Sequence, residues 1–148
     1  FTTIGNLDQL PKSTQKGILE GAEITKDNSG LNLCLALNYG SRQEMIDAIR
    51  TIVNRVTSGN LNITNINENI FSNLLQTTGM PDPDLLIRTS GESRLSNFLL
   101  WQIAYSEIYM TDTYWPAFRE QSLLNAILNY QSRERRFGQV SEQVKNKT

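Results

Sequence analysis

The feature that most restricts the fold of this sequence is the alternation of short apolar runs with segments of helical periodicity. The candidate strands lie at residues 1–4, 31–37, 84–87 and 108–110, and a helical pattern separates most of them from the next. Strands and helices that alternate in this way are typical of βα units, whose strands lie parallel in one sheet. The sequence therefore predicts an α/β fold, a parallel-sheet domain of the α/β/α type.

The run at residues 31–37 is the clearest of these strands. Leucines occupy its alternate positions, and Asn32, Cys34 and Ala36 lie between them. An apolar strand with small residues on its second face fits a buried parallel strand that helices cover closely. We therefore expect this strand to be buried.

Start and stop signals mark the helices. Pro11 suits a first turn, and Ser41 with Glu44 forms a capping box that opens a helix ending at residues 58–59. Ser96 is the expected cap of a helix that runs through Tyr105, and this helix is apolar on nearly every side, which predicts burial, including at a subunit interface. Further helices are expected at residues 65–75 and after Pro116, the latter with an apolar face of Leu123, Leu124, Ile127 and Leu128.

Composition excludes several classes of site. The chain has no histidine, which removes His-based catalytic triads and His-ligated zinc. The net charge of -1 gives no general attraction to nucleic acid, so any anion site must be a local cluster of arginines. Cys34 is the single cysteine and no signal peptide or membrane-length apolar run is visible, so a reducing, cytoplasmic location is expected.

The segment after the third candidate strand has the composition of an anion site. Arg88 lies where the strand ends, Gly91 permits a sharp turn, and Arg94 precedes Ser96 at the expected helix start. Ligands of parallel α/β sheets bind beyond the carboxyl ends of the strands, and a helix N-terminus attracts anions. Two guanidinium forks, a hydroxyl and a helix N-terminus together match a diphosphate.

Other interpretations of the polar residues stay open. Glu92 could pair with either arginine in a simple surface salt bridge, and Ser96 could be only a cap. The loop is neither a Walker A motif nor a G-x-G-x-x-G fingerprint. Glu107 and Asp112 are candidate metal ligands, although lone carboxylates are usually solvated. A second cationic cluster at residues 133–138 could simply complement the end of a helix.

The stretch DLLIRTSGESRLSNFLLWQIAYSEIYMTDTYWPAF at residues 84–118 resembles the signature region of the cis-prenyltransferases, the undecaprenyl diphosphate synthase family. The resemblance extends to LNLCLALNYGSR at residues 31–42 and to RERRFG at residues 133–138, in the order found in that family. It covers the chain up to Gly138. Residues 1–138 are therefore expected to be the C-terminal part of a single domain, with residues 139–148 as a polar tail.

This resemblance implies a prenyltransferase that condenses isopentenyl diphosphate onto an allylic diphosphate, such as farnesyl diphosphate, with formation of a cis double bond. The implied product is a polyprenyl diphosphate lipid carrier of the undecaprenyl type. Magnesium would assist departure of the allylic diphosphate. A homodimer, transient contact with the membrane surface and no nucleic-acid partner are also implied.

The resemblance also implies roles for individual residues. Arg88, Arg94 and Ser96 would hold the diphosphate of isopentenyl diphosphate, and Glu92 matches an active-site acid. Glu107 matches a carboxylate linked to magnesium. The remaining candidate substrate contacts are Asn38, Arg42, Arg136 and Gly138.

Two departures from the family pattern matter. The opening motif Asp-Gly-Asn-Gly-Arg-Trp is absent, and the chain begins within a candidate strand, so we expect that N-terminal strands are missing and that this piece alone is inactive. Ser93 and Ala117 stand where other members have histidine and aspartate, which puts proton transfer through these positions in doubt. The alternatives are a non-catalytic partner subunit of such an enzyme and an unrelated phosphate-binding α/β module.

Overall fold

The computed structural model of the chain describes residues 1–134, which belong to two compact units. The first unit comprises residues 1–81 together with 97–99, and the second comprises residues 82–96 and 100–134. Each unit contains one pair of parallel strands. The predicted α/β class with parallel pairing is therefore confirmed. That residues 1–138 form part of one larger domain stays a prediction.

The first unit is a βαβ arrangement followed by two helices. Strand β1 (Thr2–Ile4) pairs in parallel with β2 (Cys34–Ala36), and α1 (Lys12–Thr25) lies between them in the sequence. Helix α2 (Ser41–Thr57) and the short α3 (Glu68–Ser72) follow. The buried apolar side chains of this unit are Ile4, Ala48, Ile52 and Leu75.

The second unit is built on the parallel pair β3 (Leu85–Arg88) and β4 (Glu107–Met110). The register places Leu85 opposite Glu107 and Arg88 opposite Met110, so the two strands begin and end together. Helix α4 (Glu120–Gln131) follows and contributes the buried Ala126. The predicted helix after Pro116 is therefore confirmed, and its apolar residues Leu123, Leu124, Ile127 and Leu128 are all exposed in the described chain.

The expectation of a buried strand at residues 31–37 is also wrong. The ladder covers only Cys34–Ala36, and Leu31 is 93% exposed, while Leu33 and Leu35 are exposed as well. A parallel strand is buried only where other elements cover both of its faces. In the described chain that cover is incomplete at β2.

Helix α2 has the predicted position but not the predicted cap. Its N-cap is Gly40, so Ser41 is the first residue of the helix and not its cap, and Glu44 in the first turn is buried. Glu44 accepts hydrogen bonds from the hydroxyl of Tyr39 at 2.6 Å and from the backbone N–H of Gln76 at 2.8 Å. These contacts connect Glu44 to residues outside the helix, and the predicted capping box is wrong because Ser41 is not the N-cap.

The helix predicted from Ser96 through Tyr105 is absent. Ser96, Asn97 and Leu99 have φ values of 51°, 60° and 46°, and residues 100–105 form turns. A left-handed backbone cannot start a right-handed helix. Ser96 is therefore not a helix cap, and the predicted burial holds only in part, because Ile103 is buried but Tyr105 is exposed.

Asn97 binds the start of α2, a contact that its position in the sequence does not suggest. Its side-chain Oδ1 accepts a hydrogen bond from the backbone N–H of Arg42 at 2.9 Å, and its carbonyl accepts one from the N–H of Ser41 at 2.9 Å. Asn97 thus satisfies two backbone donors at the start of α2 that would otherwise lack partners. A Cβ on Gly40 would lie 2.9 Å from Asn97 Nδ2, so a larger residue at this position would force the Asn97 side chain to shift.

No helix among residues 1–134 is both long and apolar enough to cross a membrane.

Candidate anion-binding site

The candidate site lies at the carboxyl end of the β3–β4 pair, where Arg88 is the last residue of β3. The following loop is attached to the segment after β4 by backbone hydrogen bonds. The N–H groups of Ser90 and Gly91 donate to the carbonyls of Thr113 at 3.1 Å and Thr111 at 2.9 Å. The loop is therefore fixed at its first turn, as expected for a ligand-binding loop at the end of a parallel strand.

Gly91 makes this attachment possible. Its φ is +67°, and a Cβ at this position would lie 2.9 Å from Asp112 Oδ1. A side chain would meet both the strain of the left-handed region and the carboxylate of Asp112. The sharp turn predicted at Gly91 is therefore confirmed.

Glu92 brings the two predicted arginines together. Nη2 of Arg88 donates to Oε2 of Glu92, and Nη2 of Arg94 donates to Oε1 of the same carboxylate. The side chains of Arg88 and Glu92 are 32% and 34% exposed, while that of Arg94 is 67% exposed. Two guanidinium groups thus converge on one anionic group within reach of solvent. We call residues 88–94 the arginine loop.

The charge of Glu92 is stabilised by both neighbours. The hydrogen bond from Arg88 is the main cause that lowers the pKa of Glu92, and the positive charges of Arg94 and Arg88 act in the same direction. The carboxylate is therefore ionised at neutral pH. The sequence had left a surface salt bridge open as an alternative, and the structure shows that Glu92 pairs with both arginines at once.

Arg88 retains one donor for a further anion. Its Nε is buried and has no hydrogen-bond partner among the described residues. Guanidinium groups bind carboxylates and phosphates best through two parallel N–H groups, and here only Nη2 of the fork is engaged by Glu92. A buried donor without a partner is costly, so an anion that reaches Nε gains from pairing with it.

The part of the site assigned to Ser96 requires correction. Ser96 is exposed and has a left-handed backbone, and no helix begins there. A helix N-terminus therefore does not contribute to anion binding at this loop. The contact of the Ser96 hydroxyl with a ligand stays a prediction.

Asn38 and Arg42 lie in the first unit, after β2. Asn38 borders a cavity of about 520 Å³ together with Tyr39, Glu44 and Gln76, and its Nδ2 donates to the carbonyl of Asn6 and to Oε1 of Gln9, both at 3.0 Å. Arg42 is exposed and, in the described chain, is not among the residues that line this cavity. Substrate binding by Asn38 and Arg42 stays a prediction.

Glu107 lies at the opposite end of the β3–β4 pair from Arg88, because it is the first residue of β4. Its Oε2 accepts a hydrogen bond from Nη1 of Arg133 at 2.8 Å. Residues 1–134 contain no group of three aspartate, glutamate or cysteine side chains that could hold a metal ion. Magnesium binding by Glu107 stays a prediction.

Arg133 is a residue whose role local spacing did not reveal. It also donates from Nη1 to the carbonyl of Ile108 at 2.9 Å, and from Nε and Nη2 to Oδ1 of Asn129 at 3.0 and 2.7 Å. We call this group, Arg133 with Glu107, Ile108 and Asn129, the arginine clip. Arg136 and Gly138, the predicted C-terminal substrate contacts, lie outside the described residues.

Comparison with known proteins identifies the relatives of the chain. The family model described as undecaprenyl diphosphate synthase matches residues 1–138. The ditrans,polycis-undecaprenyl-diphosphate synthase ((2E,6E)-farnesyl-diphosphate specific) of Micrococcus luteus is 54% identical over 136 residues, which are 92% of this chain and 55% of that protein. An isoprenyl transferase of Clostridium perfringens is 51% identical over 138 residues, 93% of this chain and 54% of that protein.

A solved structure has a fold similar to that of this chain. The lavandulyl diphosphate synthase from Lavandula x intermedia, in complex with dimethylallyl diphosphate, has a TM-score of 0.90 and 40% identity over 94% of this chain and 60% of that one. The chain thus spans little more than half the length of the relatives it matches. These matches exclude an unrelated phosphate-binding module.

Proposed function

The chain belongs to the undecaprenyl diphosphate synthase family of prenyltransferases, and from this premise we propose that the whole protein condenses isopentenyl diphosphate with an allylic diphosphate. Each condensation would create a cis double bond, and the product would be a polyprenyl diphosphate lipid carrier. The matched residues include the arginine loop and the segment after β2. Farnesyl diphosphate is the allylic substrate we propose, because the name of the Micrococcus luteus relative specifies it.

The observation that carries this proposal is the convergence of Arg88 and Arg94 on a single carboxylate. In that arrangement the oxygens of Glu92 stand in for phosphoryl oxygens of a ligand. The diphosphate of isopentenyl diphosphate stays on the growing chain, so it needs groups that hold it rather than groups that expel it. Two guanidinium forks suit that role, because they bind phosphate strongly and keep their charge at every physiological pH.

The allylic diphosphate has the opposite requirement, since it must leave. We propose Mg²⁺ for the whole enzyme, where it would neutralise charge on this leaving group. Glu107 is held by Arg133, and residues 1–134 offer no cluster of three metal-ligating side chains. No step is therefore assigned to a metal bound by the described residues.

We also propose that the whole enzyme is a homodimer. Large apolar side chains of the second unit are exposed in the single chain, and a subunit interface would remove them from water. The most exposed of them among the described residues are Tyr105, Tyr114, Trp115 and Leu128. We propose a cytoplasmic location with transient contact at the membrane surface, because the product is a lipid.

The test is the substitution Arg88→Ala in the whole protein. Loss of this fork should lower kcat/KM for isopentenyl diphosphate by about tenfold or more, since one charge-assisted hydrogen bond contributes about 1.5–3 kcal/mol. Arg55→Ala is the matched control, because Arg55 is an exposed arginine of α2 in the other unit. Unchanged kinetics for Arg88→Ala would refute the role of the arginine loop. A whole protein that turns over only after addition of a second, different subunit would instead be a partner chain.

A further inference from the structure

We propose that Thr111 is a positioning residue of the arginine loop and holds it in the form that binds the diphosphate of isopentenyl diphosphate. The inference rests on the proposed function and adds a residue that lies outside the loop itself. Thr111 follows β4 directly and is half-buried. Its backbone and its hydroxyl both take part, and we call residues 111–113 the threonine segment.

The backbone of the threonine segment binds the arginine loop on both sides of its first turn. The N–H of Thr111 donates to the carbonyl of Arg88 at 2.9 Å, and the carbonyl of Thr111 accepts from the N–H of Gly91 at 2.9 Å. The carbonyl of Thr113 accepts from the N–H of Ser90 at 3.1 Å. Both backbone polar groups of Thr111 are therefore engaged by the loop.

These hydrogen bonds depart from the parallel ladder of β3 and β4 just after the N–H of Thr111 binds Arg88. A regular continuation of the ladder would direct the N–H of Thr113 to the carbonyl of Ser90, because the bonds of a parallel pair are evenly spaced. Instead Ser90 donates to Thr113, and Ser90 has a left-handed φ of 71°. The N–H of Thr113 therefore needs an acceptor other than the ladder.

The hydroxyl of Thr111 supplies that acceptor. Its Oγ1 accepts from the N–H of Thr113 at 3.3 Å and donates to Oγ1 of Thr113 at 3.1 Å. A threonine hydroxyl that binds the backbone two residues further on stabilises a local turn in place of regular strand pairing. The hydroxyl therefore stabilises the turned form of the threonine segment, in which its carbonyls accept hydrogen bonds from the arginine loop.

The two arginines of the loop depend on this turn to different extents. Arg88 belongs to β3, so the strand pair sets the position of its backbone. Arg94 follows the turn at Ser90 and Gly91, so its position relative to Arg88 depends on how firmly the threonine segment holds that turn. A diphosphate that binds both guanidiniums is bound most tightly when their separation is fixed, so a looser turn lowers its affinity.

The test compares Thr111→Val and Thr111→Ser in the whole protein by steady-state kinetics with isopentenyl diphosphate and farnesyl diphosphate. Thr111→Val keeps the shape of the side chain but removes the hydroxyl, and the KM for isopentenyl diphosphate should rise about fivefold to tenfold, as expected for the loss of one hydrogen bond. The kcat and the KM for farnesyl diphosphate should each stay within about twofold, because the loop holds the other substrate. Thr111→Ser keeps the hydroxyl and should stay close to the parent.

Thr57→Val is the matched control. Thr57 is an exposed threonine at the end of α2 in the other unit, and its hydroxyl also binds nearby backbone, the carbonyls of Val53 and Asn54, both at 3.1 Å. This variant should leave kcat and both KM values unchanged. Thr111→Ala removes the same hydroxyl as Thr111→Val, and it carries the same prediction if circular dichroism shows that Thr111→Val does not fold.

The outcomes separate this inference from the proposed function. An unchanged KM for isopentenyl diphosphate in Thr111→Val, while Arg88→Ala loses kcat/KM, would overturn the role of Thr111 and leave the arginine loop in place. An equal rise of KM for both substrates, or no recovery in Thr111→Ser, would also overturn it, because Thr111 would then act on the fold as a whole. If Arg88→Ala has no effect either, the proposed function fails, and the inference fails with it.

Discussion

Each end of the β3–β4 pair carries an arginine–glutamate ion pair, but the two arginines differ in how many of their nitrogens have hydrogen-bond partners. At the carboxyl end, Arg88 pairs with Glu92, and at the amino end, Arg133 pairs with Glu107. Their exposures are similar, at 32% and 34% for the first pair and 30% and 27% for the second. Neither burial nor the type of charge therefore distinguishes the two ends.

The use of the guanidinium donors does distinguish them. In the arginine clip, Nε, Nη1 and Nη2 of Arg133 all have partners. In the arginine loop, Nε of Arg88 has none among the described residues, and the carboxylate of Glu92 is divided between two guanidiniums. An arginine whose donors are all satisfied stabilises a structure, whereas one with a free buried donor is suited to a ligand.

The largest effect is expected from Arg133→Ala, which tests whether the arginine clip stabilises the fold without binding the ligand. It removes four hydrogen bonds and leaves Glu107 without its ion-pair partner, so we expect the free energy of unfolding to fall by about 2 kcal/mol, a value kept low because the pair is partly exposed. Affinity for inorganic diphosphate should stay unchanged. Urea unfolding and calorimetric titration measure the two quantities. A loss of diphosphate affinity without loss of stability would show that Arg133 serves ligand binding rather than stability.

A smaller effect is expected from Gly91→Ala, which tests whether the fixed turn prepares the arginine loop. Alanine at this position must adopt a φ of +67°, and its Cβ would lie 2.9 Å from Asp112 Oδ1, so we expect stability to fall by about 1–2 kcal/mol and diphosphate to bind more weakly. The double variant Gly91→Ala with Asp112→Ala should recover the part of the cost due to contact, but not the backbone strain. No recovery would show that Asp112 does not limit this turn.

The sequence predicted those parts of the molecule that short-range patterns determine. Parallel strands β1, β3 and β4 and helices α1, α2 and α4 follow apolar periodicity, and all were predicted close to their observed positions. Arg88, Glu92 and Arg94 were also found from the sequence, because they lie within one loop and meet through contacts at most four residues apart along the chain.

Several of the failures involve contacts between distant residues. Asn97 binds the start of α2 from 55 residues away, and a capping pattern read within the helix cannot show this. The same residue has a left-handed backbone that breaks the helix expected from Ser96. Arg133 reaches Glu107 across 26 residues, so the arginine clip was not visible in the spacing of either residue.

The smallest expected effect is the pH dependence of stability that comes from the ionisation of Glu92 in the arginine loop. The hydrogen bond from Arg88, with the nearby charge of Arg94, holds the pKa of Glu92 below its ordinary value of 4.5 in the folded protein. A group with a depressed folded pKa contributes stability that is complete above its unfolded pKa and is lost as the pH falls through the folded pKa. The melting temperature of the parent chain should therefore fall more steeply below about pH 5 than that of Glu92→Gln, and the two curves should converge in acid.

Asp112, the other acidic side chain beside the turn, is present in both proteins, so its titration is common to both curves. Parallel curves at every pH would mean that the ionised Glu92 gains nothing from the two guanidiniums.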